Sequence, residues 1–188
     1  MDEFLILVDH QDHKKGIAEK LQAHQQGLLH RAFSIFIFNS EGRLLLQQRA
    51  FGKYHSQGLW SNTCCGHPRP GERTAAAAKR RLFEEMGITC PLLKVFTLLY
   101  REPVSNQLIE HEYGHIFVGT CDCDPVVNPE EANDWQWQTL SELTLRIAAE
   151  PETFTIWFRR LLETVGPAGL SAWRDQALAG RQAARAST

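Results

Sequence analysis

The stretch from Gly66 to Gly87 constrains the fold of this chain more than any other. A loop that contains Glu72 is followed by residues 74–86, whose Ala, Arg, Leu and Glu content favours a helix. Gly87 is of the residue type that most often ends a helix. Residues four apart on that helix share a face, so arginine and glutamate lie side by side. The pattern indicates either plain surface ion pairs or a loop and helix that hold an anion and a cation.

The same spacing resembles the Nudix box, a loop and helix that bind metal and diphosphate in the Nudix fold. It departs from the box of a hydrolase in two places. Cys65 stands at its entrance, and Arg81 stands where the first metal-binding glutamate is usual. The resemblance implies a fold that handles diphosphates, and the departures imply that the diphosphate is not cleaved.

Strands and helices are predicted in no regular alternation, and Asn39-Ser40-Glu41-Gly42 has the composition of a hairpin turn. Strands are predicted at 4–8, 32–38, 43–48, 59–65, 92–101, 110–120 and 135–138, and helices at 17–27, 74–86, 141–149 and 153–164. This mixture favours an α+β Nudix fold, a sandwich of a mixed β-sheet with flanking helices.

One domain is predicted at residues 1–166, because the chain has 188 residues. Gly and Pro at 166–169 interrupt the chain before a tail at 167–188. The Ala- and Arg-rich composition of this tail predicts a surface helix or a frayed end.

Charge and hydropathy limit the partners. The net charge of −2 gives no signal for nucleic acid, and no apolar run approaches the roughly 20 residues that span a bilayer. Met1-Asp2-Glu3-Phe4 lacks the basic start of a signal peptide. We therefore expect a cytoplasmic protein that binds neither nucleic acid nor membrane, with no disulfide framework among its five cysteines.

Glu110 and Glu112 predict a metal site. Alternate residues of a strand point to one face, so the two carboxylates project together while His111 points away. Adjacent carboxylates repel unless a cation or proton lies between them. A solvent-facing sheet edge is the alternative, but the apolar run at 114–118 is typical of a core and favours the metal.

Histidines supply further candidate ligands. His67 lies two residues after Cys65, His24 lies on the predicted helix, and His30 lies just before the next predicted strand. Imidazole and carboxylate together suit a zinc- or manganese-type ion if they converge. A single histidine is more often a surface residue or a hydrogen-bonded core residue, and we assign five to that class: His10, His13, His55, His111 and His115.

Basic residues could meet a diphosphate. In this interpretation Glu85 holds a hard cation, and the planar fork of Arg81 matches an oxyanion. Lys20, Arg49 and Lys53 could add contacts. The alternative is surface charge, in which each ion pair contributes about a few tenths of a kcal/mol.

Cys65 is either a small buried apolar residue or a reactive thiol in polar company. With an ordinary pKa of about 8.5, a thiol can serve acid-base chemistry near neutrality. No acyl-transfer context supports a Cys-His nucleophile.

Ordered blocks between about residues 3 and 164 resemble the type 1 isopentenyl-diphosphate isomerases, a family built on the Nudix fold. The blocks are Glu19-Lys20, His24, Leu29 to Ser34, Gln47 to Ala50, Lys53, Leu59 to Pro68, Arg80 to Gly87, Tyr100-Arg101, Glu110 to Glu112 and Trp157-Phe158. Gln57 and Ile156 depart from prolines that many relatives carry, which concerns local geometry rather than chemistry.

The resemblance implies an enzyme of isoprenoid biosynthesis. It would interconvert isopentenyl and dimethylallyl diphosphate by a 1,3-proton shift through a tertiary carbocation. Cys65 and Glu112 match the pair of which one protonates the alkene and the other removes a proton. Tyr100 matches a tyrosine that assists by hydrogen bonding, and Trp157 matches a tryptophan whose ring faces the cation.

The resemblance also implies two metal ions and a small allylic or homoallylic diphosphate substrate. One divalent ion (Mn²⁺, Zn²⁺ or Mg²⁺) would be bound by His24, His30, His67, Glu110 and Glu112. A second ion, Mg²⁺, would be bound by Glu85 and touch the diphosphate. The residues that match diphosphate contacts are Lys20, Arg49, Lys53 and Arg81.

Two alternatives remain. A Nudix hydrolase of a nucleoside diphosphate derivative would carry glutamate in place of Arg81 and has no role for Cys65. A binding module without catalysis would have gaps in the acid-base set, yet Cys65, Glu112 and Tyr100 are all present.

Overall fold

The computed structural model describes residues 3–186, with the side chains of 183–186 left out of the description. Nine strands and four helices occur in this range. The strands are β1 Phe4–Val8, β2 Lys14–Glu19, β3 His30–Phe38, β4 Leu44–Arg49, β5 Trp60–Ser61, β6 Cys64–Gly66, β7 Leu93–Pro103, β8 Ile109–Thr120 and β9 Ala132–Gln138. The helices are α1 Lys20–Gln26, α2 Thr74–Met86, α3 Leu140–Ala149 and α4 Ile156–Ala186.

Strand β3 organises the sheet. It pairs in parallel with β8 over its whole length, from His30 beside Glu112 to Phe38 beside Thr120. On its other side it pairs antiparallel with β6 and, near its ends, with β1 and β4. Because parallel and antiparallel pairs occur together, the sheet is mixed, as expected for the α+β Nudix fold.

The two faces of β3 bury two separate cores. Its alternating pattern points Phe33, Ile35 and Ile37 toward α2, which contributes Ala77, Ala78, Leu82 and Met86. Phe36 and Phe38 face the other core, to which α3 and α4 contribute. Helices on both faces of one sheet confirm the predicted sandwich.

Two predicted helix boundaries are wrong. Residues 17–19, expected in a helix, belong to β2, because Ile17 and Ala18 pair with Ile6 and Leu5. Helix α1 begins only after Glu19, whose carboxylate accepts from the backbone N–H groups of Leu21 and Gln22.

The helix predicted from residue 153 begins at Ile156 instead. Residues 151–153 form a single 3₁₀ turn, and Phe154 bridges to Trp60 in extended conformation. The backbone N–H of Thr155 donates to the Trp60 carbonyl at 2.9 Å, so the chain is tied to β5 before the helix starts.

The segment after residue 166 is helical and packed. Gly166 departs from helical geometry at φ 65°, and α4 then continues to Ala186. Leu170, Trp173 and Ala177 are buried in the core on the α4 side of the sheet. The segment therefore covers the sheet through 177 at least, while residues 187–188 of the predicted tail lie outside the described range.

Cys121 and Cys123 are joined by a disulfide, which the sequence analysis did not foresee. The bond spans two positions of the chain, so it links no separate elements. Within residues 3–186, no helix is long and apolar enough to cross a membrane.

Candidate active site

The register of β3 brings distant parts of the chain together. Glu112 of β8 pairs with His30, and Cys65 of β6 pairs with Ser34. His30 and Ser34 share a face of β3, because they are an even number of residues apart. The two strands that carry Cys65 and Glu112 therefore flank β3 and present both side chains to one cavity.

Glu110 and Glu112 project together from β8, as predicted. Glu112 Oε1 lies 3.0 Å from His67 Nε2 and 3.7 Å from His30 Nε2. Its other oxygen accepts from the Tyr100 hydroxyl at 2.7 Å. Glu110 Oε2 lies 3.4 Å from His24 Nε2. His111 points away and contacts the Gly27 carbonyl at 2.9 Å.

Three imidazoles surround these carboxylates. The ring centroids of His24 and His30 are 4.9 Å apart, and those of His30 and His67 are 5.0 Å apart. Nδ1 of His24 lies 2.7 Å from the Lys20 carbonyl, and Nδ1 of His30 lies 2.8 Å from the Leu28 carbonyl. Because a carbonyl only accepts, each Nδ1 carries the hydrogen, and each Nε2 keeps its lone pair for the centre.

The donor set fits a divalent cation. His24 Nε2, His30 Nε2 and Glu110 Oε2 are buried without a hydrogen-bond partner, although buried polar atoms are normally paired. Two groups of predicted ligands, and a third that adds His55 to His24 and Glu110, offer donor atoms within 4.8 Å of one another. Mixed imidazole and carboxylate donors suit zinc- or manganese-type ions.

The pKa shifts of His67 and Glu110 agree with metal binding, whereas Glu110 raises the pKa of His24 against the effect of burial. Burial lowers the pKa of His67 to about 4, against the opposing effect of Glu112, so its imidazole is neutral at pH 7. Burial alone would raise the pKa of Glu110, but the neighbouring imidazoles of His24 and His55 outweigh it and place the pKa well below its usual value. Neutral imidazole and ionised carboxylate are the forms that bind metals.

Cys65 remains a thiol at neutral pH. Burial raises the pKa of its thiol to about 11, although the hydrogen bonds with Ser34 and Asn62 act in the opposite direction. The sulfur donates to Asn62 Oδ1 at 3.2 Å and lies 3.5 Å from Ser34 Oγ. Cys65 is thus a hydrogen-bonded thiol and not a thiolate at pH 7.

Two aromatic side chains border the same cavity. Trp157 donates from its indole nitrogen to Ser61 Oγ at 3.0 Å, which fixes the ring on α4. The Arg49 guanidinium carbon lies 5.0 Å from the centroid of this ring. Burial raises the pKa of Tyr100 well above its usual range, so its hydroxyl keeps the proton that it donates to Glu112.

Of the predicted diphosphate contacts, Arg81 lies on the Nudix-like helix α2 and Lys53 lies in the loop after β4. Arg81 donates to Glu85 Oε1 at 2.6 Å and lies 3.0 Å from Glu131 Oε1. Glu85 is 3% exposed and its other oxygen accepts from Gln47 at 2.9 Å. Lys53 pairs with Glu131. These side chains form one ion-pair network along the wall of the cavity.

Two more basic side chains, Lys20 and Arg49, line the same cavity. Lys20 Nζ lies 2.7 Å from Glu3 Oε2. Arg49 donates to the His55 carbonyl at 3.3 Å, while its Nε is buried without a partner. An unpaired guanidinium N–H in a buried cavity is suited to an anionic ligand.

The structure brings nearly all predicted site residues to one cavity. It is lined by Lys20, Arg49, Lys53, Cys65, His67, Arg81, Glu85, Tyr100, Glu110, Glu112 and Trp157. His24 and His30 do not line the cavity and are 0% exposed. They contact the two carboxylates from the protein interior.

Sequence reasoning missed six polar residues that line the cavity: Glu3, Ser34, Gln47, Tyr54, His55 and Glu131. His55, which we assigned to surface or core histidines, is 3% exposed and lies 3.1 Å from Glu110 Oε1. Glu131 accepts from both Arg81 and Lys53. The available signal for His55 was its place two residues after Lys53. Glu131 had no signal beyond an acidic pair in a loop.

Comparisons with known proteins show the family and the fold. Residues 28–158, more than half of the chain, match the NUDIX domain family. The chain is 55% identical over 165 residues to "Isopentenyl-diphosphate Delta-isomerase 2" of Aromatoleum aromaticum, covering 88% of this chain and 87% of the relative. It is 55% identical over 173 residues to "Isopentenyl-diphosphate Delta-isomerase" of Serratia proteamaculans, covering 92% and 97%.

A solved structure agrees at the level of the fold. The crystal structure of DR0079 from Deinococcus radiodurans superposes with a TM-score of 0.66 at 22% identity, covering 78% of this chain and 90% of that one.

Proposed function

We propose that this chain, which belongs to the NUDIX domain family and within it to the isopentenyl-diphosphate Delta-isomerases, interconverts isopentenyl diphosphate and dimethylallyl diphosphate. One observation carries the proposal. A protonated thiol, Cys65, and a carboxylate–hydroxyl pair, Glu112 and Tyr100, line one cavity beside a cluster of metal donors.

The reaction moves one proton onto carbon and another off it. A proton added to the terminal methylene of isopentenyl diphosphate leaves a tertiary carbocation, and loss of a proton from the neighbouring CH₂ forms the new double bond. One of Cys65 and Glu112 gives the first proton, and the other accepts the second. The raised pKa of Cys65 supports this role, because a neutral thiol still carries the proton to be moved.

The carbocation must be protected from water. Trp157 is 8% exposed and its ring borders the cavity, so its π face can stabilise positive charge. A closed cavity with few waters also limits capture of the cation. Tyr100 acts on Glu112 by holding its Oε2, which fixes the direction of that carboxylate.

The diphosphate end is assigned to the cationic wall. Lys20, Arg49, Lys53 and Arg81 supply positive charge around the cavity. Glu85 would hold Mg²⁺, a hard cation that prefers carboxylate and phosphate oxygens. The diphosphate would be bound rather than cleaved, since Arg81 replaces the hydrolase glutamate.

His24, His30, His67, Glu110 and Glu112 would bind the other divalent ion, of the Mn²⁺, Zn²⁺ or Mg²⁺ type. When bound, such an ion would lower the pKa of the carboxylates and keep the two negative charges together. The three buried unpaired atoms support this assignment.

The expected substrate is a free small molecule in the cytoplasm. A net charge of −2 supplies no general field for a polyanion, so the local cations serve the diphosphate.

Isotope exchange tests the proposal. Purified protein with isopentenyl diphosphate, Mg²⁺ and Mn²⁺ in D₂O should produce deuterated dimethylallyl diphosphate, detected by NMR and mass spectrometry. Inorganic phosphate or isopentenyl monophosphate without isomer would instead support a Nudix hydrolase. A cavity that only binds the diphosphate would give neither product.

A further inference from the structure

His55 lies inside the donor cluster but differs from the proposed ligands. Its Nε2 lies 3.1 Å from Glu110 Oε1, and its Nδ1 lies 3.1 Å from Ser56 Oγ. Each ring nitrogen therefore lies 3.1 Å from an oxygen. His24 and His30 each leave Nε2 unpaired.

The two oxygens of Glu110 are likewise distinct. Oε1 faces His55, whereas Oε2 is buried without a hydrogen-bond partner and faces His24. Unpaired atoms mark where an ion would take its ligands, since buried polar atoms are otherwise satisfied. Oε2 belongs to that set, and Oε1 lies 3.1 Å from His55 Nε2.

The His55 ring is held from several sides. It packs edge-on against Tyr54 at a centroid distance of 4.4 Å and against Trp157 at 5.8 Å. A hydroxyl can donate to Nδ1, which leaves the hydrogen on Nε2, the nitrogen that lies 3.1 Å from Glu110 Oε1. The backbone carbonyl of the same residue accepts from Arg49 at 3.3 Å.

We propose that His55 is a positioning residue of the metal site. It donates from Nε2 to Glu110 Oε1 and so directs Oε2 toward the ion. A hydrogen bond from outside the ligand set fixes the orientation of a ligating carboxylate, and losing one typically lowers metal affinity about 10–100-fold. The inference rests on the metal site of the proposed function and not on the isomerisation itself.

His55 also has a second contact, which it makes through its backbone. The side chain orients a metal-binding carboxylate while the backbone holds Arg49, a proposed diphosphate contact. In the segment that follows β4, one residue therefore contacts both the metal donors and a proposed diphosphate contact.

Metal titration of three variants tests the inference. His55→Phe keeps a planar ring but removes the donor, and His55→Gln retains an N–H near the position of Nε2. His115→Gln is the matched control, because His115 is also buried on a carboxylate, with Nε2 2.9 Å from Asp12 Oδ2. Mn²⁺ and Zn²⁺ affinities are measured on demetallated full-length protein by competition with a chelator, without substrate.

We expect His55→Phe to weaken binding about 10–100-fold. His55→Gln should bind within about threefold of the parent protein, and His115→Gln should bind like it. If His55→Phe does not fold, as judged by circular dichroism, His55→Ala takes its place.

Three results would overturn the inference. The first is a His55→Phe variant that binds metal as tightly as the parent protein. The second is a His55→Gln variant that loses as much affinity as His55→Phe, which would indicate direct ligation, and the third is no metal binding by the parent protein. The isotope experiment with the parent protein is independent, so a failed isomerase proposal with an intact metal titration would be recognised as such.

Discussion

Arg81 gives the clearest case of a residue whose meaning depends on its neighbours. It stands where a hydrolase has a metal-binding glutamate, yet three glutamates surround it: Glu84, Glu85 and Glu131. These carboxylates raise its pKa further, against burial, so its charge is permanent. An additional glutamate at this position would concentrate four negative charges, whereas arginine leaves a cation facing the cavity.

Cys65 and Glu112 can be tested one residue at a time. Cys65→Ala and Glu112→Gln should each lower kcat for isomerisation about 10²–10⁴-fold, because each removes a group that carries or accepts a proton. Product formation from isopentenyl diphosphate is the measurement. Cys90→Ala is the control, since Cys90 is a half-buried free cysteine outside the cavity. Turnover near the parent value in either variant would refute the assigned acid-base pair.

At the scale of elements, the C-terminal end of helix α2 positions Glu85. Gly87 ends the helix at φ 67°. The carbonyls of Glu85 and Met86 then accept from the backbone N–H groups of Asn128 and Val126 at 2.9 and 3.0 Å. The loop before β9 is thereby attached to the helix, and the same loop carries Glu131.

Gly87→Ala should disturb this attachment. Alanine in left-handed conformation costs about 1–2 kcal/mol, and its Cβ would lie 3.0 Å from both the Val126 Cβ and carbonyl oxygen. We expect a loss of about 1–3 kcal/mol in the free energy of unfolding, measured by urea titration.

Gly180→Ala serves as its control. A Cβ at Gly180 meets nothing within 4 Å on helix α4, so a gain of up to about 1 kcal/mol is expected. Equal stability of the Gly87→Ala variant and the parent protein would show that the helix end tolerates a side chain.

Helix α4 can be tested through Trp173. This side chain is 5% exposed and packs against Phe36 and Phe96 at ring distances of 5.5 and 5.7 Å. Trp173→Ala should cost about 3–5 kcal/mol of unfolding free energy. Leu145→Ala, at a site that is 71% exposed, should change it by less than about 0.5 kcal/mol. A similar small effect of both changes would mean that the segment after 166 adds little to the core.

At the scale of the whole molecule, the site is assembled from both ends of the chain. The donor cluster takes one histidine from α1, one from β3, one from the loop after β6 and two glutamates from β8. Trp157 on α4 closes the cavity. Binding of a metal by these donors would therefore be coupled to folding, because the donors converge only in the folded chain.

Removing the metal tests this coupling. Chelation should abolish isomerisation and lower the melting temperature, since an ion at about 100 times its Kd stabilises the folded state by about 2.7 kcal/mol. Restoring Mn²⁺, Zn²⁺ or Mg²⁺ singly should recover both properties to different extents and identify the ion. Full activity after verified demetallation would contradict the metal site.

Several features could be predicted from short segments of the sequence alone. The pairing of Glu110 with Glu112 on one face follows from strand geometry alone, and Gly87 marks the end of α2. The misplaced start of α1 has a non-local cause, because residues 17–19 extend to pair with β1. Strand pairing with a distant segment leaves no mark in the local pattern.

The sequence by itself determined which chemical groups are available, the mixed α+β class and the family that the ordered blocks resemble. Only the tertiary structure decided which groups meet. It brought His55 and Glu131 into the cavity, and it buried Trp173. It also made Cys65 a protonated thiol with a pKa of about 11. The physical reason is that burial and contact between remote residues set these properties, and neither depends on spacing along the chain.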